Sequence, residues 1–127
     1  MINVLAVGVG GFVGSALRYL LSGYVQQATR SAWFPFGTLT VNLTGCLLIG
    51  VLSHLADTRG LFSTEMRAFV FMGLLGGFTT FSTFGNETLR LLRDGENVFA
   101  LANVGAHVFL GLGAVWLGSV LAHVIWR

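Results

Sequence analysis

The sequence predicts an all-α membrane protein with four transmembrane helices, the third of them broken, and three observations predict it. Of 127 residues, 54% are hydrophobic and only 9% are charged, whereas soluble domains carry about a quarter of their residues as Asp, Glu, Lys and Arg. The mean hydropathy is +0.80, and so short a chain has too much surface per volume to hide that much apolar side chain in one core. The few charges also leave four long stretches without any. The apolar content excludes disorder, and a lone cysteine, Cys46, excludes a disulfide scaffold. Nucleic acid is a poor partner despite a pI near 9.3. The net charge of +2 comes from scattered arginines without a single lysine, which makes no basic patch.

About 20 apolar residues at 1.5 Å each cross a hydrocarbon core. The first span lies near 3–25, where Ile2 to Leu17 is uncharged and only Arg18 precedes Arg30. It is too long for the apolar region of a signal peptide, and no Lys or Arg comes before it. The second span lies near 36–56, inside the uncharged run Ser31 to Ala56, with Pro35 at its start, where a missing N–H costs little. The third, near 65–92, surrounds the uncharged run Ala68 to Asn86, and Ser63-Thr64-Glu65 reads as its capped start. The fourth lies near 97–126, in the uncharged run Asn97 to Trp126. Asp57, Arg59 and Gly60 mark one joint, and Arg93, Asp94, Gly95 and Glu96 mark another. No linker is long enough to join a second domain, so residues 1–127 read as a single membrane domain.

Arginine asymmetry normally sets orientation. Here Arg59, Arg67 and Arg127 fall on the N-terminal side, and Arg30, Arg90 and Arg93 on the other. An even split gives the insertion machinery no instruction. Either both orientations occur, allowing two copies to pair head to tail, or one neglected charge decides the topology.

Polar residues inside the spans cost energy in lipid and so carry information. Arg18 follows Gly10 and Gly14 along one helical face, a small-residue pair that lets another helix approach closely. It either snorkels to the headgroups or faces an aqueous vestibule that attracts anions. Thr38 and Asn42 share a face of the second span with Gly45 beside them, and the Asn amide offers two N–H donors and an acceptor. An anion or a neighbouring helix could use those groups.

The third span is the most informative. Gly73-Leu-Leu-Gly76-Gly77-Phe78-Thr79-Thr80-Phe81-Ser82-Thr83-Phe84-Gly85-Asn86-Glu87 is poor material for a continuous helix. A break there would free backbone groups at bilayer depth, tolerated only where protein or a cavity covers them. The other reading is a tight helix crossing whose Ser and Thr bond back to the preceding turn. Phe81 and Phe84 share a face, and ring edges are electropositive, so they could hold a small anion without a full charge. In the fourth span His107 reads either as a proton relay or as a hydrogen-bonded interface residue, while His54 and His123 lie near span ends. No group of His, Cys and carboxylates has metal-ligand spacing, and Gly8-Val-Gly10-Gly-Phe-Val-Gly14 lacks the surrounding βαβ pattern of a dinucleotide loop.

These residues resemble the Fluc (CrcB) family of fluoride channels over essentially the whole chain. The resemblance rests on Gly10-Gly11-x-x-Gly14-Ser15-x-x-Arg18-Tyr19 and Gly37-Thr38-Leu39-x-Val41-Asn42-x-x-Gly45. It rests above all on Gly76-Gly77-Phe78-Thr79-Thr80-Phe81-Ser82-Thr83-Phe84 followed by Glu87. It implies a channel rather than an enzyme, passing fluoride passively out of the cytoplasm across the inner (plasma) membrane of a bacterium. It also implies an antiparallel, dual-topology homodimer with two pores. Asn42, Phe81 and Phe84 would line the fluoride path, joined by Ser82, Thr83 and Thr38, with Arg18 at a vestibule and Glu87 near an entrance. Backbone carbonyls of Gly76 and Thr79 from both subunits would hold a structural sodium ion. One departure stands out: family members often carry Ser or Thr where this chain has Gly111 and Val115.

Two other function classes fit the length. A small multidrug-resistance-type transporter also has four spans and dual topology, but it needs a carboxylate in its first span, where this chain has only Arg18. A purely structural subunit would explain the paired glycines but not the hydroxyl-rich segment.

Overall fold

Each span forms because its long apolar run favours a helix that satisfies its own backbone away from water. The computed structural model describes every residue from Met1 to Arg127. Four helical stretches are long and apolar enough to cross a membrane: Ile2–Thr29, Phe36–Arg59, Thr64–Arg93 and Asn97–Ile125. The first outruns its expected end at 25 and the second its expected end at 56. The first stops where Arg30 turns left-handed (φ 52°), and the second stops at left-handed Gly60 (φ 58°). Ser63 caps the third helix as its sequence suggests, its hydroxyl accepting from the Met66 N–H at 3.2 Å.

The first joint is held by one side chain. Gln26 donates to the carbonyls of Ser31 (2.7 Å) and Phe34 (3.1 Å) and accepts from the Gly37 N–H (3.0 Å). On the other side of the bundle, Arg59 donates to the Trp126 carbonyl. Arg67 donates to the Ala56 carbonyl at 3.1 Å and faces Asp57 at 3.9 Å.

Two spans depart from regular α geometry. The third runs as Thr64–Arg67, a widened π-type stretch Ala68–Leu75, a short Gly76–Phe78 turn, two extended residues, and Phe81–Arg93. The fourth is interrupted at Ala106–Leu110 by a second π-type stretch. Such bulges re-aim side chains and cluster at functional positions.

Glycines set which helices touch. Gly10 and Gly14 are buried against the third span, where a Cβ would strike the Phe69 and Leu74 carbonyl oxygens respectively. Gly73 presses back on Val7 and Gly10, and Gly77 presses on Gly11. The second and fourth spans pair in the same manner, Gly50 resting on the Val115 carbonyl and Gly118 on that of Leu47. The first pair joins the second pair where Gly37 lies on the Ser22 carbonyl. Only 18 of 127 residues are buried, and Phe12, Phe109 and Trp116 are among many large apolar side chains facing outward. A bundle with so thin a core and so apolar an exterior is built for lipid.

The glycine contacts make a direct prediction. Gly14→Val should cost several kcal/mol, because overpacking a tight crossing costs about 1–3 kcal/mol and here the obstacle is backbone rather than a mobile side chain. Gly113→Ala, with open space around its Cβ, should change stability by less than about 0.5 kcal/mol. Thermal unfolding of both variants in detergent checks this, and equal midpoints would show that the crossing is not close.

Candidate functional site

The break falls at Thr79 and Thr80, both in extended conformation (φ −95°, ψ 158° and φ −152°, ψ 121°). It does not fall at the double glycine. Gly76 and Gly77 remain helical, and Gly77 serves the crossing with the first span. The hydroxyl cluster after them turns the chain out of the helix and then restarts it. Thr80 caps the new helix, its hydroxyl accepting from the Thr83 N–H at 3.3 Å.

Asn42 holds the break. Its Nδ2 donates to the Thr80 carbonyl at 2.9 Å, and its Oδ1 accepts from the Thr80 N–H at 2.8 Å. One side-chain amide thus pairs both backbone groups of an extended residue in mid-span, as a neighbouring β-strand would. Pairing is compulsory there, since a lost backbone hydrogen bond in an apolar setting costs about 1–3 kcal/mol. The bracket has a consequence for the preceding turn. Because the Thr80 N–H points to Asn42, the Gly76 carbonyl loses the amide that a continuous helix would bring it. Because the Thr83 N–H points to the Thr80 hydroxyl, the Thr79 carbonyl loses its amide too. Those are the two carbonyls expected to hold a cation, and as neutral oxygen donors released from the helix they suit an alkali ion.

The face of the second helix carrying Asn42 matches the third span along its length. Gly45 is buried, and a Cβ there would run into the Thr79 methyl group, so glycine is what lets the break lie against the helix. One turn in the other direction, Thr38 donates to Glu87 Oε1 at 2.7 Å. The expected sharing of one face by Thr38, Asn42 and Gly45 is therefore what docks the broken span.

A cavity of about 380 Å³ opens beside the break. Asn42, Gly76, Thr79, Phe81 and Phe84 line it, together with Thr80, His107 and Gly111. The Phe81 and Phe84 rings stand 5.4 Å apart at 54°, and Phe81 is 82% exposed toward the open side. Phe84 packs at 4.3 Å on the His107 ring. A second cavity, of about 360 Å³, lies toward the side of the first joint and holds Thr38 and Glu87 with Ser22, Gln26 and Arg90.

The expected site residues therefore divide. Asn42, Phe81, Phe84, Gly76 and Thr79 meet at one cavity, and Thr38 meets Glu87 at the other. Thr83 is engaged with the Thr80 hydroxyl at 3.1 Å, which lies 3.3 Å from that of Ser82. Arg18 is half-buried beyond Gly14, its Nε without a partner in the chain. Gly111 lines the first cavity, whereas the Val115 backbone supports Gly50.

Three members of this site were not among the expected set: Thr80, bracketed by Asn42, and two residues of the fourth span. His107 Nε2 lies 3.1 Å from Asn42 Nδ2, and its Nδ1 lies 3.0 Å from the Asn103 carbonyl. Asn103, fully buried, donates to the Thr88 hydroxyl at 3.0 Å. The spacing of Asn103 and His107, four apart in an apolar span, was the available signal. Both ring nitrogens of His107 are hydrogen-bonded between the second and fourth spans. His54 and His123 meet edge-on at 5.6 Å near one end of the bundle, apart from this site.

The chain is similar to known proteins over nearly its whole length. Residues 5–119 match the family model described as CrcB-like protein, Camphor Resistance (CrcB). The Fluoride-specific ion channel FluC of Methylobacillus flagellatus is 48% identical over 121 residues, covering 95% of this chain and 94% of that one. Fluoride-specific ion channel FluC 3 of Methanosarcina barkeri is 42% identical over 122 residues, covering 96% and 91%. The relative of the same FluC name from Parabacteroides distasonis is 48% identical over 121 residues, covering 95% and 93%. These relatives are named as ion channels, not enzymes.

Asn42→Leu should destabilise the protein by about 2–4 kcal/mol, because it strands the Thr80 N–H and C=O together. Thr44→Val is the matched control, since the Thr44 hydroxyl only bonds back to the Thr40 carbonyl at 2.7 Å, and should cost less than about 0.5 kcal/mol. Denaturation in mixed micelles separates the two, and similar losses would remove Asn42 from its bracing role.

Proposed function

The chain belongs to the CrcB family, and from that premise and the lining of the cavity we propose that it is a fluoride-selective channel for passive efflux from the cytoplasm. The observation that carries the reading is the meeting of Phe81, Phe84 and Asn42 beside a break in the third span. Fluoride is small and strongly hydrated, so a pore must replace its shell with close donors while letting the ion leave. Ring edges and amide N–H groups are such donors, and none carries a full charge that would trap the ion. Ser82, Thr83 and Thr38 extend a polar path, Arg18 draws anions to a vestibule, and Glu87 stands near an entrance. Fluoride enters cells as the neutral weak acid, ionises at cytoplasmic pH and leaves down its gradient.

The assembly we propose is an antiparallel, dual-topology homodimer with two pores in a bacterial inner membrane. Two features support it. Phe81 and Gly76 are exposed on the open side of the break, and irregular backbone is not tolerated against lipid, so a second copy is the natural cover. The arginines split evenly between the two sides, which lets both orientations insert. The Gly76 and Thr79 carbonyls of two copies would hold a sodium ion between them, which when bound supplies a structural link and a fixed positive charge.

Purified protein in liposomes should release fluoride through a valinomycin-balanced efflux while passing chloride at a small fraction of that rate. Equal fluxes of both ions would sink the channel reading. Phe81→Ile should slow fluoride by about fivefold or more, the rate equivalent of one lost edge contact of about 1 kcal/mol, with the oligomer retained on sizing. Cysteine pairs that link opposite ends of two copies should crosslink, and exclusive linkage of like ends would replace the antiparallel dimer with a parallel one.

A further inference from the structure

Asn42 has one spare donor, and the structure shows what occupies it. The orientation of the amide follows from its partners. The Thr80 carbonyl can only accept and the Thr80 N–H can only donate, so Nδ2 faces the first and Oδ1 the second. One Nδ2 hydrogen is thereby spent. The other points at His107 Nε2, 3.1 Å away. The tautomer of His107 follows in the same manner. Its Nδ1 lies 3.0 Å from the Asn103 carbonyl, which can only accept, so Nδ1 carries the hydrogen and Nε2 presents a lone pair. Every donor in this chain of bonds meets an acceptor, and no Asn42 N–H is left over.

The His107 ring is held there from several sides. It packs on Phe84 at 4.3 Å, and it sits in the π-type stretch Ala106–Leu110 that turns it inward from the fourth span. Phe84, His107 and Asn42 all line the same cavity. An anion that reaches the Asn42 amide from that cavity finds its only available N–H already engaged.

We propose that His107 is the resident acceptor on Asn42, which fluoride must displace to bind and which reclaims the N–H when fluoride leaves. The inference rests on the channel reading above and adds to it a residue that sets how tightly the ion is held. Thr80 alone fixes the orientation of the Asn42 amide, so His107 is not needed as a brace. Its effect is on the free energy of the empty site. With His107 present, fluoride exchanges one hydrogen bond for another. Without it, fluoride satisfies a donor that would otherwise be stranded, and the ion binds more tightly and leaves more slowly.

The test is the dependence of flux on fluoride concentration. His107→Leu should lower the half-saturating fluoride concentration by about three- to tenfold, the equivalent of one net hydrogen bond, and should lower the maximal rate. His107→Gln, which restores an acceptor, should reverse most of that shift. An unchanged half-saturation in His107→Leu, or a shift that His107→Gln does not reverse, overturns the proposal. If the leucine variant does not fold, ¹⁵N spectra of histidine-labelled wild-type protein decide the matter. Nε2 of His107 should read as unprotonated and hydrogen-bonded, and fluoride but not chloride should shift it. A protonated Nε2, or no response to fluoride, refutes the displacement. A wild-type protein that carries no fluoride current fails the channel reading itself, a result separate from a conducting protein indifferent to His107.

Discussion

Two extended residues in the middle of a membrane span oblige everything around them to answer for their backbone. A helix in lipid satisfies its own N–H and C=O groups; the Thr79 N–H still reaches the Leu75 carbonyl at 3.0 Å, but the Thr79 carbonyl and the Thr80 backbone fall outside that pattern. Asn42 supplies both missing partners for Thr80, and that single bracket fixes where the second helix lies against the third. Gly45 is required because the break comes so near that even a methyl group would collide with Thr79. His107 and Asn103 bring the fourth span into the same network. The break is therefore not a local defect. It is the point at which three spans agree on one arrangement.

The scaffold that carries it is made of small residues. Gly10, Gly14, Gly73 and Gly77 bring the first and third spans into backbone contact, while Gly50 and Gly118 do so for the second and fourth. In lipid no hydrophobic force drives helices together, so such close approach is the main source of attraction. The two pairs leave the broken segment on one open side, where the Phe71, Phe81 and Phe84 rings meet the cavity beside Leu43, Ile49, Leu75 and Val108. Close crossings on either side hold the broken segment between backbone contacts rather than mobile side chains.

The polar groups of the site are almost all neutral. No Arg, Asp or Glu lines the aromatic cavity; Glu87 and Arg90 share the second cavity, where Glu87 is taken up by the Thr38 hydroxyl. That division matches the demands on an anion pathway. Full charges set which ions approach, and weaker donors hold them only briefly. The proposed exchange of an Asn42 N–H between His107 and fluoride fits the same division, because a donor that is never left empty never holds its ligand by default.

Much of this was legible in the residues themselves. Four uncharged runs determined four spans, because only about 20 apolar residues are needed to cross and a charge at bilayer depth is costly. The small-residue pair Gly10 and Gly14 announced a crossing, and the Thr38–Asn42–Gly45 face announced a polar seam. The sequence placed the break within Gly73–Glu87; what it could not do was fix it at Thr79–Thr80 inside that segment. Glycine weakens a helix but does not open it; the opening needs an outside partner for the freed groups, and that partner, Asn42, is 38 residues away in the chain. His107 was ambiguous for the same reason, as its role depends on an acceptor in its own turn and a donor in another span. Composition and periodicity determine which segments leave water. Which polar groups pair across them is decided only when the spans pack, because each hydrogen bond joins residues whose separation along the chain says nothing about their distance in space.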